Sequence, residues 1–473
     1  MTQTITIDPV NRLEGHGKIT IQLNAQGEVE DAHFHVTQVR GFEKFSEGRP
    51  FYEMPSLTAR ICGICPVSHL LASAKACEAI MSVRIPHTAA QLRRILNLAQ
   101  MVQSHALSFF HLSSPDLLLG MESDPAQRHI FGVASARPEL GRAGIGLRRF
   151  GQHIIELLGT KRIHTGWVIP GGVTEPLSAA HRDEILAMLP EAYANVSLAL
   201  AAYKQIADRF QQEISVFANF PSNYLGLINE DETIEFSDGA LRLIGPKGDI
   251  IEDGITAQRF TEVVGEAVED YSYTKFVYYK PLGYPEGSYR VGPLARLNIV
   301  KSMGTPKADQ ELAEFKQLAN GPVESSFFYH HARLVEALYG IEKIEHILAD
   351  PQILDKHVRA TAGVNRLEGA GQIEAPRGTL SHHYKVDENG LITWANLVVA
   401  TGHNNNAMNK GVLQAARCYV KDGKFSEGAL NRVEAVIRTF DPCLSCSTHA
   451  FGQMPLAMTL LSSDGAVVDQ VIR

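Results

Sequence analysis

Cysteine and tryptophan are the scarcest residues in this chain, six and two among 473. So few cysteines in so long a chain exclude a small disulfide-held scaffold. No run of about 18 consecutive apolar residues occurs, so no segment is expected to span a membrane. No block of lysine and arginine stands out and the formal net charge is -8, which argues against a nucleic-acid surface. Low-complexity stretches and flexible linkers are also missing. Met1 to Pro9 lacks the charged-then-apolar pattern of a signal peptide, so a cytoplasmic location is the expectation, with export alongside a signal-bearing partner left open. What is there is ordinary globular material, 45% hydrophobic and 20% charged. A chain this long can bury roughly three quarters of its unfolded surface, enough to enclose a dry site.

Alternation of Ile5, Ile7, Ile19, Ile21 and Leu23 with polar residues predicts a small N-terminal sheet, turned at Asn24–Gly27 and resumed by Val29, Ala32, Phe34 and Val36. From about 53 to 112 the spacing is helical, broken at Pro86. A second helical stretch covers about 177 to 215, capped by Ser178 and either kinked or divided at Pro190. Further helices are expected over about 308–319 and 324–349, with short strands and loops between about 218 and 300 and again from Val386 to Val399 and Gly465 to Ile472. The fold class is α+β: a large helical bundle with small peripheral sheets. One internal echo stands out. Val10–Ile19 matches Val364–Ile373 at eight of ten positions, through chance or because both segments line one site.

The chemistry is concentrated at the two ends. Arg60-Ile61-Cys62-Gly63-Ile64-Cys65-Pro66-Val67-Ser68-His69 is answered by Asp441-Pro442-Cys443-Leu444-Ser445-Cys446-Ser447-Thr448-His449. Two residues between thiols let both sulfurs turn toward one metal, and thiolates favour soft ions. A zinc site, two redox dithiols and another metal centre all fit this spacing. The 377 residues between Cys65 and Cys443 are unlike a zinc ribbon, and no βαβ context supports a thioredoxin-like dithiol. Gly144, Gly146 and Gly151 form a poor glycine-rich loop with no strand before it, which excludes a dinucleotide site here. Cys77 and Cys418 fall outside the motifs and read as small apolar residues.

The paired Arg-x-Cys-Gly-x-Cys-x-x-x-His and Asp-Pro-Cys-x-x-Cys-x-x-His segments resemble the signatures of nickel–iron hydrogenase large subunits. Asp8–His16, Arg40–Glu43, Pro170–Val173 and Glu374–Gly378 resemble further motifs of that family, so the similarity runs from residue 8 to 449. It implies a metal site at the bundle, between the N- and C-terminal segments. Cys62 and Cys443 would bind nickel alone, and Cys65 and Cys446 would bridge nickel and an iron carrying carbon monoxide and cyanide. Arg377 would lie over the metals near a cyanide, and Thr401 would donate to another. The chain departs from the family at Ala400, where proline is usual.

By the same resemblance, Glu43, His449 and the carbonyl of Leu397 would hold magnesium, whose preference is for oxygen ligands. Heterolytic cleavage of dihydrogen releases a proton. Cys443, or Arg377 as an unusual base, would take it, and Glu14 would carry it away. Taken alone, Glu14 would pair with Arg12 or another arginine, and Glu43 would be a surface carboxylate. Asp116 and Asp441 would orient Arg377, and His69 would hydrogen-bond a bridging sulfur or a neighbouring group.

Too few cysteines remain for an iron–sulfur cluster, so the resemblance implies that the partner is a small iron–sulfur subunit. The variants Arg-Gly-Phe-Glu-Lys-Phe and Asp-Pro-Cys-Leu-Ser-Cys look most like the cytoplasmic NAD-reducing group, in which flavin (FMN)-containing diaphorase subunits handle NAD. A deazaflavin- or NADP-linked enzyme, a hydrogen sensor and a metal-free quinone-site scaffold are the alternatives. Residues 1–449 would be one domain. Residues 450–473 would be an extension cut off after His449 by a maturation protease acting with nickel-insertion proteins, or else a permanent strand.

Overall fold

The computed structural model describes residues 3–421, 423–448, 457–462 and 466–472. The chain opens with a three-stranded antiparallel sheet, β1 (Gln3–Ile7), β2 (Gly17–Leu23) and β3 (Val29–Val36). Its alternation buries Ile7, Ile19, Ile21, Leu23, Ala32, Phe34 and Val36, and Asn24 closes the expected turn by accepting the N–H of Gly27 at 3.0 Å.

The helical stretch from 53 to 112 resolves into several pieces. A short loop carries Cys62 to Cys65. Helix α1 (Pro66–Met81) follows, then α2 (His87–Ala106), which starts right after Pro86 and runs into one π-helical segment at Leu107–Ser113. Helix α3 (Pro138–Gly159) occupies the segment whose glycines resemble a loop in the sequence. Those glycines permit close packing: a Cβ on Gly144 would sit 2.5 Å from the ring of Phe110, and one on Gly151 would sit 2.2 Å from the carbonyl oxygen of Ala99.

Ser178 caps α4 (Ala179–Ala207) by accepting the N–H of His181 at 3.1 Å, and Pro190 lies inside this single helix. The wider span Ala179–Val216 is long and apolar enough to cross a membrane by length and composition, contrary to the expectation from uninterrupted apolar runs. Its buried residues Ile185, Leu189, Ala192, Val196, Ala199 and Tyr203 form one helical stripe. That stripe is the mark of a bundle helix with one face in the core.

A lobe of short strands follows, with β4 (Asn223–Ile228), β5 (Ala240–Ile244), β6 (Ile250–Ile255) and β7 (Tyr289–Arg290) in one sheet of order β7-β4-β5-β6. Helix α5 (Pro293–Ile299) leads back to the long α6 (Tyr329–Ala349). Helices α2, α3, α4 and α6 pack on one another as the central bundle.

The last part of the chain places the site. Strands β8 (Glu368–Ala375), β9 (Gly378–Val386) and β10 (Ile392–Val398) form an antiparallel sheet whose first strand lies on α1. Helices α7 (Ala400–Tyr419) and α8 (Glu427–Phe440) then pack together in a stretch for which no helix is expected from the sequence. In the terminal segment, β11 (Ala457–Leu461) and β12 (Val467–Ile472) pair antiparallel, with Leu460, Val467 and Val468 exposed.

The internal echo does not mark a shared site. Glu14 in the first copy reaches Cys443, whereas Glu368 in the second is exposed and pairs with His383 at 2.7 Å. In the second copy Gly369 and Gly371 serve packing, since a Cβ at either would strike backbone of α1 at 2.4 and 2.3 Å.

Candidate metal centre

The first cysteine pair sits where a loop becomes a helix. Cys65 occupies the cap position of α1, but its side chain does not cap. Gln100 from α2 does so instead, accepting the N–H groups of Val67 and Ser68 at 2.7 and 3.3 Å, which leaves the sulfur free. Gln103 holds the loop by donating to the carbonyl of Ile64 at 2.9 Å, and His164 Nε2 lies 3.0 Å from the carbonyl of Cys62.

The second pair follows α8, which ends at Asp441 in a left-handed conformation, φ 52°. Pro442 turns the chain, and the short helix Leu444–Ser447 brings Cys446 back beside Cys443. Sulfurs from the two ends meet: Cys62 and Cys443 at 3.4 Å, Cys65 and Cys446 at 3.6 Å, and Cys443 and Cys446 at 2.7 Å. All four are buried, and the sulfurs lie within 4.8 Å of one another. Cys77 and Cys418 stay outside this group.

Burial pushes the thiols of Cys443 and Cys446 up. Hydrogen bonds from Cys443, Cys446 and Cys62 pull Cys65 well down. Four soft sulfurs at this separation suit a nickel–iron pair in the chemistry of the donor set.

Other predicted residues surround the sulfurs, several in roles the sequence did not indicate. Glu14 Oε2 lies 3.0 Å from Cys443 Sγ and accepts the N–H of Ser445 at 3.1 Å, while Oε1 takes the Ser445 hydroxyl. Arg12 is not its partner: Arg12 donates to Asp116 at 2.5 Å.

Arg377 donates through Nε to the carbonyl of Asp441 at 2.6 Å and pairs with its carboxylate at 3.2 Å. Among the described residues its buried Nη1 has no hydrogen-bond partner, and the residue lines a small cavity with Cys65, His69, Thr401, Cys443 and Cys446. Burial opposes the charge of Arg377, but Asp441 and the sulfurs outweigh it and hold the guanidinium firmly protonated.

Asp116 is a correction. It makes no ion pair with Arg377 among the described residues but joins Arg12, Arg438 at 3.1 Å and Arg128 at 3.6 Å, because three guanidinium groups converge on it. Thr401 lines the same cavity; its hydroxyl accepts the N–H of Cys443 at 2.9 Å and lies 3.3 Å from the Cys443 carbonyl, which pins the backbone there.

Glu43 accepts the N–H of Leu397 at 2.9 Å, with Lys275 at 3.8 Å. Burial raises its carboxyl against the pull of Lys275. In an extended strand N–H and C=O of one residue share an edge, so the Leu397 carbonyl faces the same way. His449 lies outside the described residues. Its neighbour Thr448 accepts the N–H groups of Arg40 and Gly41 at 2.8 and 3.3 Å, which ties the Glu43 loop to this end of the chain.

Three participants have no sequence signal of their own. His69, which hydrogen-bonds Cys65, meets His382 at 3.1 Å, and His382 meets the Tyr384 hydroxyl at 2.6 Å, a buried chain leading away from the sulfurs. Only the period-2 placing of His382 and Tyr384 on one face of β9 could have linked them. Ser445, within the second motif, could have been found by its place between the cysteines.

Comparison with known proteins agrees with this geometry. The family described as nickel-dependent hydrogenase matches residues 40–127 and 245–449, more than half of the chain, and a HoxL-like family matches residues 4–39. The beta subunit of the NAD-reducing hydrogenase HoxS of Cupriavidus necator is 39% identical over 489 residues, covering 100% of both chains. The vhu F420-non-reducing hydrogenase of Methanocaldococcus jannaschii contains a chain that is 41% identical over 88% of this one and 99% of its own length. Among solved structures, an NAD+-reducing [NiFe]-hydrogenase in the H2-reduced state superposes with a TM-score of 0.92 at 42% identity, covering 94% of this chain and 99% of that one. With its four buried sulfurs in one group and these matches along its length, the chain belongs to the large-subunit family of the nickel-dependent hydrogenases.

Proposed function

We propose that this chain is the hydrogen-activating subunit of a cytoplasmic, NAD-linked nickel–iron hydrogenase. The observation that carries the reading is the convergence of Cys62, Cys65, Cys443 and Cys446 in one buried group, with Glu14 against Cys443 and Arg377 above. Cys62, Cys65, Cys443 and Cys446 would hold the nickel and iron between them, Cys65 and Cys446 serving both metals, with carbon monoxide and cyanide on the iron. The bound metals supply a redox-active Lewis acid at which dihydrogen is split heterolytically.

The protein's own residues do the rest. Glu14, oriented by both donors of Ser445, accepts the proton at Oε2 and passes it outward. Asp441 aims Arg377, whose free Nη1 offers a donor to a diatomic ligand. Thr401 fixes Cys443, and His69 donates to a bridging sulfur. Glu43, the carbonyl of Leu397 and His449 would hold magnesium, tying the Glu43 loop to the C-terminal segment. Asp116 contributes by neutralising Arg12 and Arg438 behind the Glu14 turn.

Residues 1–449 form the working unit, and residues 450–473 are removed by a maturation protease once nickel-insertion proteins have loaded the site. Electrons leave through an iron–sulfur small subunit to diaphorase subunits carrying FMN and NAD. The name of the C. necator relative supports that acceptor. A different acceptor is the second reading, favoured by the 41% identity to a chain whose enzyme is named only as F420-non-reducing.

The test is to purify the chain with its native partners, measure nickel and iron, record infrared bands of carbon monoxide and cyanide, and assay dihydrogen-driven NAD reduction. Both metals, the bands and NADH are expected. Zinc alone, or no metal in a matured complex, overturns the reading; metals with another acceptor leave the site standing and replace NAD.

A further inference from the structure

The hairpin that carries Arg377 turns inside the protein. β8 ends at Ala375 and β9 begins at Gly378, paired with each other, so Pro376 and Arg377 form a two-residue tip. Hairpin tips usually lie at the surface, where water satisfies their backbone. Here Ala375, Pro376, Arg377 and Gly378 are all buried. Their carbonyls need a protein donor instead.

Arg296 on α5 provides it. Its Nη1 donates to the carbonyl of Ala375 at 3.1 Å and its Nη2 to that of Pro376 at 3.4 Å. The same side chain is fully buried and forks onto Glu336 of α6, Nε at 2.6 Å and Nη2 at 2.7 Å, while Nη1 also meets Glu374 at 2.5 Å. Glu336 is held in turn by His105 of α2 at 2.8 Å. The other oxygen of Glu374 accepts the Thr379 hydroxyl at 2.8 Å and the N–H of Leu227 at 3.1 Å. Burial opposes ionisation of Glu336, and Arg296 outweighs it, so the fork is a charged one. At the N-cap of α5, a Cβ on Gly292 would lie 2.7 Å from the carbonyl oxygen of Arg377, so backbone there already touches backbone. Stability alone is a weak reason for such a cluster, because buried ion pairs often do no better than apolar packing of the same shape. Apolar side chains, however, cannot hold two tip carbonyls.

We propose that Arg296, braced by Glu336 and Glu374, is the positioning residue for Arg377: it fixes the backbone of the tip while Asp441 fixes the guanidinium. The proposal rests on the reading that Arg377 faces the metals. Two fixed points leave the Arg377 side chain one approach to the sulfurs.

The test uses the matured complex carrying Arg296→Lys, which keeps the charge but cannot make the planar fork, and Thr379→Val, which removes one hydroxyl from Glu374. Nickel and iron content, melting temperature, kcat and KM for dihydrogen, and the cyanide infrared bands are measured. Arg296→Lys is expected to load both metals, lose about 10–100-fold in kcat, keep KM within about twofold, and displace or broaden the cyanide bands. Thr379→Val should move the bands in the same direction by less. A loaded Arg296→Lys enzyme with unchanged bands and kcat, whatever its melting temperature, overturns the proposal. Should that variant fail to assemble, unchanged bands in Thr379→Val do the same. Arg377→Lys is run beside them: if it too leaves bands and kcat unaltered, the reading of Arg377 has failed, not the clamp alone.

Discussion

Glutamine at position 14 separates proton transfer from everything else that Glu14 does. Oε2 faces Cys443 Sγ at 3.0 Å and the Ser445 N–H at 3.1 Å, and Oε1 takes the Ser445 hydroxyl. The backbone carbonyl of Glu14 accepts the N–H of Leu444 at 3.0 Å and is untouched by the change. A glutamine whose amide oxygen takes the Oε2 place keeps the Ser445 N–H. Its NH2 then meets the Ser445 hydroxyl, which can rotate to accept. No buried group loses its partner, so the stability change should stay within about 1 kcal/mol and metal loading should be unaffected. What disappears is the titratable carboxyl that, among the described residues, meets Cys443 Sγ. A general acid–base group contributes about 10²–10⁴-fold, or about 3–5 kcal/mol of barrier.

The assays are dihydrogen oxidation with an artificial dye and exchange of D2 with solvent protons, both on enzyme of measured nickel and iron content. Both rates should fall by that factor with metals and melting temperature unchanged. Glu14→Asp draws the carboxyl back by about 1.5 Å and should give an intermediate rate through a bridging water. Wild-type exchange in a fully loaded Glu14→Gln enzyme would refute the relay. A rate loss that tracks lost nickel would instead make Glu14 a tether for the C-terminal segment.

Asp116→Asn removes the carboxylate on which Arg12, Arg128 and Arg438 converge, leaving the fully buried Arg438 with Glu434 as its acidic partner, and should cost about 1–3 kcal/mol, read as a lower denaturation midpoint. Burial opposes the charge on Asp116 but Arg438 and Arg12 outweigh it and keep the carboxyl below its ordinary range. Its contribution is therefore complete above about pH 4 and lost only as pH falls through the lower folded value; a midpoint gap that shrinks between about pH 5 and 8 would contradict this. Glu43 has the opposite sign. Burial raises its carboxyl, so its favourable contribution exists below the ordinary glutamate value and is lost as pH rises through the folded one. Glu43→Gln should thus raise the melting temperature in chelator at neutral pH, and added magnesium should reverse the order; equal responses of both proteins to magnesium would remove the ion from this site. Intact-mass measurement of nickel-loaded enzyme should show a chain ending at His449, shorter by the 24 residues Ala450–Arg473. A full-length mass in active enzyme would make the extension permanent.

What the sequence makes legible is local. Each Cys-x-x-Cys fixes its own two sulfurs, Glu14 and Arg377 stand in short motifs, and the alternation from Ile5 to Val36 reads directly as strands. The bundle helices α2, α4 and α6 show their apolar stripes at helical spacing. Two other helices are disguised by their composition for physical reasons. α3 carries glycines, which lower helix propensity, at places where Phe110 and the backbone at Ala99 press close. α7 carries His403-Asn404-Asn405-Asn406, which looks like a loop until its partners are known. Asn404 accepts the N–H of Val291 at 2.9 Å, Asn405 donates to the carbonyl of Thr274 at 3.1 Å, and Asn409 accepts the N–H of Phe34 at 2.8 Å. These are buried side chains finishing the backbone hydrogen bonding of neighbours, a task no periodicity announces.

The same limit separates the ligands of the site from its geometry. The sulfurs are named by motif, but what aims the groups around them comes from residues far off in the chain: His382 on His69, Asp116 on Arg438, Arg296 on the tip at Pro376. Each is a polar group in a core where an unmatched partner is costly, so each could be paired in several ways in the sequence and in one way in the fold. Asp116 shows the consequence. The family resemblance assigns it to Arg377, but three other guanidinium groups converge on it, and among the described residues Asp441 is the carboxylate that pairs with Arg377. Substitutions at these unmarked partners therefore discriminate better than substitutions of the cysteines. Losing a cysteine removes the metals under any reading of the site, whereas moving Arg296 or His382 leaves the donors in place and changes only how the protein holds what surrounds them.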